Sequence, residues 1–260
     1  MDFSIGRADD GRVEWVLIAV VGAVVGFLGG LFGKGGSAIA TPLLSIGGVA
    51  PISAVASPLP ATIPGTLAAA YAYWQERLVD WELVRWSVAI GVPATVVGAY
   101  ATRWIGGTPL VIATEVVVAV LGARFLVHPT DPDEHLALPP LAPRTRLTVV
   151  AVTVGLVSGL LANSGGFLLA PLYIVVLRRP IKVAFASSLV VAAALAIPGT
   201  IVHALLGHID WGVVAVFGIT AIPLSYVGGR VAVRTHAPKL ERLYGAGLLT
   251  IGLVTLAVTA

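Results

Sequence analysis

Residues 15–46 read WVLIAVVGAVVGFLGGLFGKGGSAIATPLLSI. The first part, Trp15 to Phe32, is an apolar run close to the roughly 20 residues that a membrane-spanning helix needs. It is interrupted by Gly33-Lys34-Gly35-Gly36, and a shorter apolar run follows from Ser37 to Ile46. Lipid cannot satisfy the backbone N–H and C=O groups that such an interruption exposes, so the break must be buried against protein, water or a ligand. The stretch therefore predicts a membrane protein with a broken helix.

The rest of the chain has the same character. Of its 260 residues, 57% are hydrophobic and 11% are charged, whereas soluble domains have about a quarter of their residues charged. No run alternates with the period of two that a membrane barrel strand requires. We therefore expect an all-α, multi-pass bundle in a bacterial or archaeal cell membrane. The further apolar runs are Ile52 to Trp74, Leu83 to Trp104, Pro109 to Val127, Leu147 to Ala162, Phe167 to Leu177, Val183 to Leu206, Trp211 to Val233 and Leu240 to Val258.

The two halves of the chain repeat each other. Ile63-Pro64-Gly65-Thr66 recurs unchanged as Ile197-Pro198-Gly199-Thr200, and most matching positions are 130 residues apart, as Asp80 and Asp210 are. The order of the matches predicts an N-terminal segment 1–14, a repeat 15–127, a linker 128–146 and a second repeat 147–260. The other matches are Gly22-x-x-x-Gly26 with Gly155-x-x-x-Gly159, Gly35-Gly36 with Gly165-Gly166, Pro42 with Pro171, Ala54 to Ser57 with Ala184 to Ser187, and Pro93 and Gly98 with Pro223 and Gly228.

The basic residues predict how the repeats are oriented. If each half crosses the membrane an odd number of times, as five spans or as three plus a re-entrant pair, nearly all arginines and lysines fall on one side. Only Arg7, Arg12 and Arg103 fall on the other side, with Lys34 in the break. Four crossings per half would divide the basic residues almost evenly. The positive-inside rule selects the odd number, which makes the repeats inverted and places both termini outside the cytoplasm.

Several of these motifs carry a family resemblance. Gly29 to Gly36, Thr41-Pro42, Ala54 to Ser57 and Val79-Asp80-Trp81 follow one another in the first half, and the second half repeats the series. The chain in this respect resembles the TauE/SafE sulfite-exporter family over about residues 13 to 259. The resemblance implies a transporter that exports sulfite, a sulfonate or a related small sulfur-containing or organic anion.

The two glycine-rich breaks are the candidate substrate site. A helix that starts inside the membrane presents unpaired N–H groups and a partial positive charge, and an anion satisfies both. Interrupted segments at matching places of inverted halves point to a transporter site. The candidate residues are Gly33, Lys34, Gly35, Gly36, Ser37, Ser57, Asn163, Ser164, Gly165, Gly166, Ser187 and Ser188.

Each candidate also has a structural alternative. Glycines permit close helix packing, which we prefer for Gly22, Gly26, Gly155 and Gly159. The serines can bond a nearby helix carbonyl. Lys34 can place its amine in interfacial water, although a lysine inside the membrane favours a bound anion slightly more.

Two titratable residues are candidates for ion coupling. Glu115 lies within an apolar run, where a structural hydrogen bond is the favoured interpretation, and His203 is near enough to a run end to be an ordinary interfacial histidine. Asp80-Trp81 and Asp210-Trp211 are predicted to be helix N-caps followed by interfacial aromatic anchors.

Other function classes fit less well. An anion channel is the main alternative, because broken helices in inverted halves serve channels too. An intramembrane enzyme is less favoured, since the sequence has no cysteine, five histidines and no pair of buried acids at helical spacing. We therefore expect no catalytic activity, no cofactor and no metal site. The expected partners are the small anion and the bilayer, and not nucleic acid, because the net charge is only +3. The anion, the coupling ion, the direction of transport and the oligomeric state, a homodimer included, stay open.

Overall fold

The computed structural model describes residues 14–33, 37–101, 116, 119–127, 144–161 and 165–259, and within these ranges all regular secondary structure is helical. Residues 119–127 are also helical. The other helices are α1 (Trp15–Leu31), α2 (Ser37–Ile46), α3 (Pro51–Ala56), α4 (Pro58–Trp74), α5 (Trp81–Ala101), α6 (Arg144–Leu160), α7 (Gly166–Val175), α8 (Ile181–Leu205), α9 (Trp211–Arg234) and α10 (Ala237–Thr259).

Four stretches of helix in the described ranges are long and apolar enough to cross a membrane. They are Ile52–Trp74, which joins α3 and α4 through a turn at Ser57, together with α5, α8 and α9. The prediction of an all-α, multi-pass membrane protein is confirmed. The matching helices of the two halves are α1 with α6, α2 with α7, α3 and α4 with α8, and α5 with α9.

The first helix pair of each half is a hairpin that returns to the side on which it began. The Glu14 N–H, at the start of α1, donates to the carbonyl of Gly47, just after α2 (3.1 Å). In the second half, Arg144 at the start of α6 stacks on Trp86, and Tyr173 near the end of α7 bonds Ser87. Both ends of that pair therefore lie beside the first turns of α5. The first pair of each half therefore has the arrangement of the re-entrant pair in one of the two odd-numbered alternatives.

The centre of the bundle is the antiparallel pair α4 and α8. Around it, each half contributes a helix to the other: α1 packs along α9, and α6 packs along α5. One end of the bundle, which we call the basic end, carries Arg77, Arg179 and Arg230, and the opposite end carries Glu14 and Asp210. Contacts tie the basic end together, since Arg179 pairs with Asp80 and Arg230 bonds Gln75.

Backbone conformation repeats with the sequence. Positive φ occurs at Gly48 and Arg178, which are 130 residues apart, and again at Arg77 and Gly207. The residues before α3 and α8, Ala50 and Pro180, have φ of −54° and −53°. Each of these two positive-φ pairs holds glycine in one half and arginine in the other, although a non-glycine residue in this region costs about 1 kcal/mol or more. Both arginines lie at the basic end.

The close helix contacts depend on glycine, as the sequence predicted. A side chain on Gly26 would overlap the backbone of Ala221 on α9, and one on Gly155 would overlap Gly91 on α5. Ala221 and Gly91 occupy matching positions of the two halves. By packing, therefore, Gly155-x-x-x-Gly159 corresponds to Gly26-x-x-x-Gly30, one helical turn later than the alignment with Gly22-x-x-x-Gly26.

Candidate functional site

The first break is held against helix α8 of the other half. Helix α1 ends at Leu31, and Gly33 has φ +64°. A side chain on Gly33 would come within 2.6 Å of the Phe185 Cα, so only glycine fits there. The buried Ser188 hydroxyl lies 2.8 Å from the Gly33 carbonyl oxygen, to which it donates, and 2.9 Å from that of Phe185. The structure thus brings together Gly33 and Ser188, two of the predicted site residues.

The second break also borders α8. Gly165 precedes α7 with φ +65°, and Gly165 and Gly166 are both buried. The N-cap residue is Gly165 itself, which has no side chain to serve as a cap. A side chain on Gly165 would press on Val154 and Ser158 of α6 and on Leu195 of α8. The start of α7 is therefore a helix N-terminus with a glycine at the N-cap position, enclosed by protein.

The two breaks approach α8 at different depths. Gly33 contacts it at Phe185 and Gly165 contacts it at Leu195. Ten helical residues at 1.5 Å each separate these contacts by about 15 Å along the axis. The described parts of the breaks therefore border one central helix at two levels.

Ser57 and Ser187 are used in a reciprocal pair of contacts. The Ser57 Oγ accepts a hydrogen bond from the Asp210 N–H (3.0 Å), and the Ser187 Oγ accepts one from the Asp80 N–H (3.1 Å). Both serines are fully buried. Since Asp210 lies at the opposite end and Asp80 at the basic end, the structure does not bring Ser57 and Ser187 together. Each serine instead joins one half to the other.

Several predicted residues lie outside the described residues. The ones concerned are Lys34, Gly35, Gly36, Asn163, Ser164 and Glu115, as well as the side chain of Ser37.

A small cavity lies between α1, α4 and α9. Its walls include Gly29, Gly65, Thr62, Thr66 and Ser225, and its volume of about 20 Å³ is enough for one water molecule. The three hydroxyls donate to carbonyls of their own helices. By the packing of α1 and α6, the second-half position that matches Gly29 is Ser158, which contacts Gly165.

His203 has a partner that the sequence analysis did not identify. Its Nδ1 lies 3.2 Å from the Nδ1 of His208, and the rings are 5.4 Å apart. The pair lies at the opposite end, near the end of α8. Tyr73 occupies the matching position of the first half, where its hydroxyl donates to the Gly30 carbonyl (3.1 Å).

A buried ion pair was also missed by the sequence analysis. The Arg179 Nη2 lies 3.0 Å from the Asp80 Oδ2, with the side chains 3% and 11% exposed. Asp80 Oδ1 also accepts from the Leu83 N–H (3.1 Å), which confirms the predicted N-cap. Asp210 likewise caps α9, through the Gly212 and Val213 N–H groups. The sequence did contain a signal for this ion pair, because Arg179 is a charged residue at a position where the first half has the apolar Val49.

A cluster of aromatic rings beside the first break has no signature in the sequence motifs. The Tyr244 ring lies 4.8 Å from Phe185, 5.7 Å from Phe32 and 5.6 Å from Phe125. Its hydroxyl is buried and makes no hydrogen bond in the described structure. A buried, unpaired hydroxyl is rare enough to require an explanation, and its position close to Gly33 makes Tyr244 a further candidate site residue.

Comparison with known proteins identifies the family. The family described as sulfite exporter TauE/SafE matches residues 18–255. The chain belongs to the TauE/SafE family. A probable membrane transporter protein of Xylella fastidiosa (strain 9a5c) is 28% identical over 239 residues, covering 89% of this chain and 91% of the relative. YjnA of Bacillus subtilis (strain 168), also a probable membrane transporter protein, is 25% identical over 251 residues, covering 92% of this chain and 98% of the relative. No solved structure matches.

Membership in the TauE/SafE family confirms the resemblance carried by the glycine-rich breaks and the Asp-Trp pairs. This places the chain in a family of membrane transporters, in agreement with its apolar helices.

Proposed function

We propose that this TauE/SafE protein exports a small anion, such as sulfite, an organosulfonate or a related sulfur-containing or organic anion, across the cell membrane. The observation that carries the proposal is the buried start of α7, where Gly165 and Gly166 are enclosed and the N-cap residue is a glycine. A helix start of this kind offers N–H donors and about half a positive charge. An anion is the ligand that satisfies both.

The arrangement of the halves supports transport. Helices α1 and α6 each pack against a helix of the other half, and the contacts of Ser57 and Ser187 are exchanged in the same way. Two inverted halves that share a central pair can exchange conformations, opening the substrate site first to one side and then to the other. Both breaks border α8, so a movement of the central pair, α4 and α8, would displace the two breaks together.

Direction and orientation are part of the proposal. The basic end carries Arg77, Arg178, Arg179, Lys182 and Arg230, and it faces the cytoplasm by the positive-inside rule. The described contacts support the clustering of these residues, since Arg179 and Arg230 bond groups at the end of α4 or the start of α5. Both termini then lie outside the cytoplasm, and export starts at the basic end.

The function is tested by flux into proteoliposomes, with sulfite, sulfate, methanesulfonate and acetate as substrates. A saturable flux of one or more of these anions, abolished by Gly166→Val at unchanged protein yield, is the expected result. A non-saturating conductance would favour the channel alternative, and normal flux by Gly166→Val would show that this glycine serves packing alone.

Lys34→Gln tests how charge selects the substrate. Two helix starts roughly balance a monoanion, so a full lysine charge favours a dianion. The substitution keeps the hydrogen-bonding capacity. It should weaken about tenfold the ability of sulfate to compete with the transported anion in the flux assay, which is the scale of one charge-assisted hydrogen bond. The ability of methanesulfonate to compete should fall less. Equal losses would mean that Lys34 acts through hydrogen bonding or structure, and no loss would mean that its amine lies in water.

Membrane orientation is tested with single cysteines, because the chain has none of its own. A cysteine at Ser4 or Ala260 should react with an impermeant maleimide applied to intact cells, whereas one at Leu138 should react only in inverted vesicles. Labelling of Ser4 and Leu138 from the same side would contradict the inverted arrangement.

A further inference from the structure

A cleft of about 530 Å³ opens at the basic end, between the ends of α4 and α9. It is lined by Trp74, Gln75, Arg77 and Arg230. The Arg230 Nη1 donates to the Gln75 Oε1 (3.0 Å), which holds one guanidinium at the cleft wall. Neither arginine forms an ion pair with a carboxylate in the described part of the chain. Among the described residues, two positive charges therefore share one cleft with no carboxylate paired to either of them.

Glu76, in the same turn, does not supply the missing acid. It does not line the cleft, and it interacts electrostatically with Lys182. Lys182 is further held by donating to the Val233 carbonyl (2.7 Å). The positive potential of the cleft is thus available to a ligand.

Aromatic side chains border the cleft on its membrane side. The Tyr71 ring lies 5.7 Å from the Trp74 ring and 6.3 Å from the Tyr226 ring. Tyr71 and Trp74 are 49% and 52% exposed, and Leu67 continues the same exposed face of α4. Exposed tyrosine and tryptophan collect at the level of the lipid headgroups. The cleft therefore lies at headgroup depth and is continuous with a surface that faces acyl chains.

The second half provides an internal comparison. The positions that match the cleft are Ala204, Leu205, Gly207 and Tyr100, none of which is charged. Arg77 (φ +56°) and Gly207 (φ +70°) share a backbone conformation that glycine adopts more readily. The first half therefore keeps an arginine at a position where the same turn is formed with less strain by glycine. An anionic ligand that binds the guanidinium group would account for the arginine at this position.

We propose that this cleft binds the phosphate headgroup of an acidic phospholipid. Guanidinium groups bind phosphate oxygens through paired hydrogen bonds, and basic pockets between membrane helices recognise anionic headgroups. The acyl chains of the lipid lie along Leu67 and Tyr71. The site is separate from the glycine-rich breaks, so it does not depend on the identity of the transported anion.

The test measures the melting temperature of the full chain in a neutral detergent during titration with phosphatidylglycerol, phosphatidylcholine or inorganic phosphate. Phosphatidylglycerol should raise the melting temperature at concentrations where the other two do not. Arg230→Gln and Arg77→Gly should each weaken the apparent affinity for phosphatidylglycerol roughly fivefold, the effect of one basic residue at a membrane surface. Arg85→Gln is the matched control, because Arg85 is exposed near the same end and does not line the cleft.

Arg77→Gly separates charge from folding. Glycine suits the positive φ of this position, so the variant should melt no lower than the native chain without lipid and lose only the response to phosphatidylglycerol. An equal response to phosphatidylcholine would overturn the proposal, as would a loss in Arg85→Gln as large as that in Arg230→Gln. A full response to inorganic phosphate would assign the cleft to a soluble oxyanion and would also overturn the lipid assignment.

Discussion

Replacing Asp80 with asparagine is expected to lower the free energy of unfolding by roughly 3–5 kcal/mol, because the change removes the carboxylate that balances the buried Arg179 charge. The Arg179 side chain is only 3% exposed and its Nη2 lies 3.0 Å from the Asp80 carboxylate. Asparagine is an equally good helix cap, so the loss of the cap does not contribute. Urea or thermal unfolding in a mild detergent, followed by tryptophan fluorescence, measures the effect.

Asp210→Asn is the matched control for this prediction. Asp210 occupies the matching position and caps α9 in the same way, and it accepts no bond from an arginine among the described residues, since Val49 stands where the second half has Arg179. The control should change the stability by less than about 0.5 kcal/mol. The double variant Asp80→Asn with Arg179→Gln should recover part of the loss, because it removes both charges. Equal effects at Asp80 and Asp210 would show that the ion pair contributes little.

The two halves of the chain share local backbone features but differ in chemistry. The turns at Arg77 and Gly207 have the same positive φ, and the starts of α5 and α9 are both capped by aspartate. The additional charges, Arg77, Arg179 and Arg230, lie at the basic end. The opposite end carries the His203–His208 pair instead. Conformation is thus shared between the halves, whereas electrostatics distinguishes the two ends.

Local features of this fold were predictable from the sequence. Aspartate before a tryptophan at the start of an apolar run predicts a cap, and both caps are present. Glycines four residues apart predict close packing, and a side chain at Gly26 or Gly155 would indeed overlap a neighbouring backbone. Such patterns succeed because each depends on a single turn or a single helix face.

The alignment of the glycine motifs shows where sequence reasoning fails. Gly22, Gly26 and Gly30 form one series with a spacing of four, so Gly155 and Gly159 match the first two as well as the last two. Only contacts with α5 and α9 distinguish the alternatives. A motif with a period of one helical turn cannot determine its own register.

The serines show the same limit for the site. Ser57 and Ser187 are equivalent in sequence, which suggested that both face one ligand. Each instead accepts a hydrogen bond from an aspartate N–H of the opposite half, at opposite ends of the bundle. A contact between residues more than 100 positions apart depends on how the halves pack, which the local pattern does not contain. Tyr244 was missed for a similar reason, since its neighbours come from three other helical segments.

Gly30→Ala is expected to separate α1 from α9 and to lower the free energy of unfolding by about 1–3 kcal/mol, the usual cost of overpacking. A methyl group at this position would overlap the Ser225 carbonyl oxygen and approach the Gly229 nitrogen at 3.0 Å. Both are backbone atoms of α9, so no side-chain rotation relieves the overlap. Because α1 leads directly into the first break, flux should fall together with stability.

Two other glycine-to-alanine changes make this prediction specific. Gly159→Ala should match Gly30→Ala, because its methyl group would overlap the Thr95 carbonyl oxygen at the corresponding crossing of α6 and α5. Gly218→Ala on α9 should be neutral or stabilising, since its nearest neighbour, the Ala61 Cβ, would lie 3.5 Å away and alanine favours a helix more than glycine does. Melting temperatures of the three variants in one detergent provide the comparison. If all three variants melt alike, helix propensity and not the close crossing sets the stability, and the paired crossings lose their role in holding the two halves together.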